Sequence, residues 1–148
     1  MNTHPYLRAY LAGIFIPALA LPLILVGFIV VRIVLLAPVP IEQALIFPMA
    51  IVPMLWGLWN MLYVWSRPRT HLPIGLHGAL LPVLMAPVGA YVAVSLHALT
   101  FGPSSIVWFQ ALTIPYALIV CAVLAALAGY YLLWKYVVGF VNRVLGIV

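Results

Sequence analysis

The chain has 148 residues, of which 68% are hydrophobic and 5% charged, and its six basic residues against one acidic residue give a net charge of +5. Soluble domains are about a quarter charged, and a mean hydropathy of +1.30 means more apolar surface than a chain of this size can hide, so an integral membrane protein is expected. One acidic side chain supplies neither a carboxylate pair nor a complete nucleophile–base–acid set within one protomer, so no enzyme is expected.

The apolar segments lack the period-two alternation of barrel strands, which predicts an all-α membrane protein. The first stretch covers 11–36. Its Ala18-Leu19-Ala20 resembles a signal cleavage box, but the apolar run continues to Val31, so a retained helix is expected. Within it, GIFIPALALP at 13–22 carries Pro17 and Pro22. Each proline removes a backbone donor and frees the carbonyl one turn earlier, so both are expected bends. Ala37-Pro38-Val39-Pro40 breaks the pattern, and a second stretch follows over 44–65. After the polar break at 66–71 comes a third stretch, 73–99, whose GALLPVLMAP repeats the two-proline pattern with Pro82 and Pro87. A turn at 100–105 leads to the fourth stretch, 106–134, in which the single cysteine, Cys121, reads as a small core residue. All four stretches exceed the roughly 20 residues needed to cross a hydrocarbon core about 30 Å thick, and the short breaks imply antiparallel neighbours.

The tail, 135–148, would extend the fourth helix far beyond that thickness. A bend near Lys135 or Gly139 and an amphipathic helix lying in the interface are therefore expected.

Arg8, Arg67, Arg69, Lys135 and Arg143 all fall on one side of a four-span topology. By the positive-inside rule that side is cytoplasmic, which places both termini inside, in the inner membrane of a prokaryotic cell. Trp56, Trp59, Tyr63, Trp65, Tyr130, Tyr131 and Trp134 read as an aromatic belt on that side and Trp108 as one on the other. The positive charge is explained by topology and calls for no nucleic-acid partner.

Two phrases recur. Gly13, Pro17 and Pro22 return at an offset of 65 as Gly78, Pro82 and Pro87, and Gln43 to Pro48 returns at an offset of 67 as Gln110 to Pro115. The chain is thus expected to be one membrane domain built of tandem helical hairpins, about 6–66 and 71–134, related by an axis along the membrane normal, with paired bends pointing to a site between the halves.

Polar residues in apolar surroundings need partners. Hairpin geometry brings Arg32 level with Glu42 and Gln43, and His97 level with Gln110; these five form a candidate outer layer for an anionic or polar head group. On the other side Asn60 falls opposite His77, where a hydrogen-bonded pair is expected. The spacing of the four histidines is no metal signature, and no cofactor is expected. Ala122, Ala125, Ala126 and Gly129 in the fourth helix, with Gly89 and Ala93 in the third, permit close helix approach within the chain or between chains. Together these features suggest an oligomerising or accessory membrane subunit whose partners are lipid, a second copy or another membrane protein. A minimal transporter or lipid-binding protein is the alternative, and it requires a cavity lined by Pro17, Pro22, Pro82 and Pro87.

Overall fold

A computed structural model describes residues 4–36, 47–110 and 112–147. Helix α1 spans Pro5–Val34, α2 Phe47–Thr70 and α3 Ile74–Ser95. Three short strands follow, β1 (Leu99–Phe101), β2 (Ser105–Trp108) and β3 (Leu112–Pro115). Helix α4 (Tyr116–Leu132) then passes through a π-helical turn, Leu133–Val138, into α5, Gly139–Val144. The fold is mostly helical, and α1, α3 and the continuous helix Tyr116–Val144 are long and apolar enough to cross a membrane.

Helix α2 is not among those three. Its segment holds Asn60, Ser66, Arg67, Arg69 and Thr70 together with three tryptophans, which dilute its apolarity although its length is sufficient. It packs against α1, crossing where Gly13 lies on the backbone of Trp56 and Gly57; a Cβ at Gly13 would come within 2.9 Å of the Gly57 Cα.

The stretch expected to begin the fourth helix, from Ile106 to Pro115, is instead largely sheet. The strands form an antiparallel meander, β1-β2-β3, with Leu99 opposite Trp108 and Ser105 opposite Pro115. Two local causes account for this. Ile106, Val107, Thr113 and Ile114 are β-branched and favour extended backbone, and Pro115 disfavours helix at the residue before it. Pro115 itself is extended, at φ −62° and ψ 145°, and α4 starts immediately after it. Helix α3 closes in a Schellman motif, in which the Ala98 N–H donates to Ala93 O and the His97 N–H to Val94 O. A sheet with unpaired edges belongs outside hydrocarbon.

The expected bend at the tail is replaced by continuous helix. Residues 116–144 remain helical, with αR backbone on both sides of the π turn. The tail packs into the bundle, with Trp134, Val138 and Asn142 all 0% exposed. Here too a Schellman motif ends the helix: Ile147 N–H donates to Asn142 O and Gly146, at φ 64°, to Arg143 O.

The buried side chains concentrate at one end. Ala9, Ala12, Trp56, Asn60, Tyr63, His77, Leu81, Trp134, Val138 and Asn142 form this packed zone. The other halves of α1 and α3 are almost wholly exposed, and α4 has no buried residue at all. Cys121 is accordingly exposed on α4.

Candidate functional site

The chemistry-bearing side chains of the packed zone come from four helices. Asn60 on α2 donates from Nδ2 to Ala9 O of α1 at 2.7 Å and to Asn142 Oδ1 of α5 at 2.8 Å. Asn142 Nδ2 donates back to Asn60 Oδ1 at 3.1 Å. Both amides are 0% exposed, so this reciprocal pair ties α1, α2 and α5 together where water is absent. Nearby, Arg8 Nη1 donates to Leu145 O at 3.2 Å, setting a cation on a helix C-terminus, where the helix dipole favours it.

His77 on α3 lies beside Asn60 in depth but bonds elsewhere. Its Nε2 is 2.9 Å from Trp59 O; a carbonyl only accepts, so Nε2 carries the proton. Trp59 Nε1 donates in return to His77 O at 2.7 Å, and the two rings stack at 4.7 Å. The expected Asn60–His77 bond is thus divided between two reciprocal pairs. Successive helical residues point about 100° apart, so Asn60 turns toward α1 and α5 while Trp59 turns toward α3.

Several of the aromatic residues expected in an interfacial belt, Trp56, Trp59, Tyr63, Tyr130 and Trp134, pack into this zone. Trp56 stands 5.2 Å from Tyr130 and 5.4 Å from Trp134, and Tyr63 packs on His77 at 5.2 Å. The indole N–H groups of Trp56 and Trp134 are buried without an acceptor among the described residues. Trp65 remains exposed, and Arg69 lies 4.9 Å over its ring.

At the edge of the zone, where α2 turns into α3, Tyr63, Arg67, Pro68, His71, Leu72 and Pro73 line an open pocket of about 490 Å³. Tyr63 and Arg67 are one turn apart on α2, and His71 follows just past its end with left-handed backbone, φ 49°. None of the four bend prolines lines this pocket.

Of the candidate outer layer, Glu42 and Gln43 lie outside the described residues. Arg32 is exposed in the last turn of α1. His97 and Gln110 are exposed and flank the β1–β2 hairpin, continuing its register, yet share no hydrogen bond among the described residues. Both have left-handed backbone, φ 56° and 54°. His97 is thereby accounted for locally as the residue that terminates α3. All four bend prolines lie inside helices. Pro17 is buried and Pro82 half-buried, whereas Pro22 and Pro87 are exposed.

Sequence reasoning missed Asn142 as the partner of Asn60, and also the pocket. Asn142 could have been found as the only amide in the tail. The pocket depends on where the α2–α3 turn places Tyr63 and His71, and no sequence pattern announces that.

No family model, curated protein or solved structure matches this chain.

Proposed function

We propose that the chain is a non-enzymatic inner-membrane protein that works as an assembling subunit, docking through the exposed helix faces of its loosely packed half onto a second copy or another membrane subunit. The observation carrying this reading is α4, which buries no residue over Tyr116–Leu132. Built Cβ atoms at Gly89 and Gly129 meet nothing within 4 Å, and Ala122, Ala125 and Ala126 are exposed. Small residues in membrane helices allow backbones to approach closely; here nothing among the described residues packs on Gly89 or Gly129.

In this reading α2 is the fourth span, its polar and aromatic face turned into the bundle, and both termini are cytoplasmic. Arg8 and Arg143 at the packed end, with Arg67 and Arg69 about two turns beyond Asn60, support that orientation. The halves are tandem repeats: Gly13 and Gly78 are both buried, the first proline of each phrase is the more enclosed, and the second is exposed. Pro48 and Pro115 likewise stand at the starts of α2 and α4.

Native mass measurement in mild detergent tests the proposal, and oxidative cross-linking through Cys121, one and two turns from Ala125 and Gly129 on the same face, adds a geometric check. Masses of a dimer or of a complex with an unlike subunit are expected. A single-copy mass across mild detergents and nanodiscs, with no covalent dimer on oxidation, would refute it.

A further inference from the structure

The pocket at the α2–α3 turn has the makings of an anion site. Tyr63 is only 6% exposed, it lines the pocket, and its hydroxyl makes no hydrogen bond among the described residues. The ring is enclosed while the hydroxyl stays accessible, since it is not one of the buried unpartnered groups, so from the pocket it can donate to an occupant that accepts a hydrogen bond. Arg67 stands one turn further along α2, and His71, just past the end of that helix with left-handed backbone at φ 49°, completes the polar lining. Pro68, Leu72 and Pro73 supply an apolar wall and, through the two prolines, a stiff one.

Charge points the same way. One acidic side chain cannot neutralise six cations, and the carboxylate that Arg67 would ordinarily seek is scarce throughout the chain. Arg69, two residues on, turns to the Trp65 ring, leaving Arg67 as the guanidinium of the pocket. Arg presents a planar fork suited to phosphate oxygens, and a tyrosine hydroxyl and an imidazole N–H add donors. The pocket lies at the end of apolar helices where basic residues gather, the depth at which phospholipid head groups meet a membrane protein.

We propose that Tyr63, Arg67 and His71 form a binding site for a phosphate-bearing anion, filled in the membrane by the head group of an anionic phospholipid whose glycerol end rests on Leu72 and Pro73. This site is separate from the helix faces invoked for assembly, and neither proposal depends on the other.

The test uses the full chain in mixed micelles, with native mass spectrometry counting retained phosphatidylglycerol against phosphatidylcholine. The wild-type chain is expected to hold phosphatidylglycerol in preference. Arg67→Gln should lower that retention about tenfold and Tyr63→Phe about threefold, the effects of losing a charge-assisted and a neutral hydrogen bond respectively. Arg143→Gln, at the same end but outside the pocket, should leave retention unchanged, and melting temperatures of all variants separate loss of binding from loss of fold. Competition with millimolar inorganic phosphate distinguishes the sources: persistence of bound lipid supports the head group, and displacement assigns the site to a soluble phosphate ester. Equal retention of the two lipids, or equal losses in Arg67→Gln and Arg143→Gln, would overturn the site.

Discussion

The amide pair Asn60–Asn142 is the sharpest point at which to perturb the packing. Replacing Asn142 by Leu keeps roughly the same volume but removes both side-chain bonds between the amides, 2.8 and 3.1 Å long. It also strands Asn60 Oδ1 in a fully buried position. Interhelical hydrogen bonds in membrane proteins are worth about 0.6 kcal/mol on average and about 1.7 at most. Adding about 1–3 kcal/mol for an orphaned buried acceptor, Asn142→Leu should destabilise the fold by about 2–4 kcal/mol. Asn60→Leu should cost a similar amount, since it also loses the bond to Ala9 O. The double variant leaves no orphan between the two positions, so its cost should fall short of the sum by about 1–2 kcal/mol. Reversible unfolding of all four proteins in mixed micelles, titrated with a denaturing detergent, measures the cycle. Additivity within about 0.3 kcal/mol would show that the amides do not stabilise each other.

Further expectations follow from local geometry. A Cβ at Gly78 would collide with the Trp134 side chain, so Gly78→Ala should destabilise by about 1–3 kcal/mol. At Gly89 and Gly129 a Cβ meets nothing, so alanine there should stabilise the isolated chain by about 0.5–1 kcal/mol. The same thermal-melt series compares all three. His97 holds a left-handed backbone at the C-terminus of α3, so His97→Gly should raise stability by about 0.5–1 kcal/mol through relieved strain; a loss would point to an unrecognised contact of the imidazole. The His77 ring should show its proton on Nε2 by nitrogen NMR, since Trp59 O lies 2.9 Å away, and a proton on Nδ1 alone would contradict that hydrogen bond.

The membrane class was legible because composition alone makes a water-soluble fold untenable, and the helical regions α1 and α3 were legible because their long apolar runs outweigh the two prolines inside each. The depth of Asn60 and His77 was also readable, since antiparallel helices joined by a short turn fix which residues share a level. Their bonding was not, because one step along a helix turns a side chain through about 100°, and depth says nothing about azimuth. The sheet was hidden by uniform apolarity: Ile106 to Trp108 and Leu112 to Ile114 have no periodicity that separates strand from helix. The stronger hint lay in β-branched residues held between Gly102-Pro103-Ser104-Ser105 and Pro115. Trp56, Tyr63 and Trp134 were misplaced for a related reason. Aromatic residues favour both interfaces and cores, and only the close approach of Gly13 and Gly78 to neighbouring helices reveals that these ones are enclosed.

The π-helical turn at Leu133–Val138 acts as a phase shifter for everything after it. A π turn accommodates one more residue than regular α-helix would, and that surplus sets the angle at which Asn142 arrives beside Asn60. Deleting a single residue within the turn would give a more regular helix with the tail still in place, whereas winding all the present residues as α-helix would swing the tail by about 100° and carry its amide off target. By absorbing the surplus residue, the π turn exchanges local helical regularity for alignment, and the end of the chain behaves like a key cut to one angle.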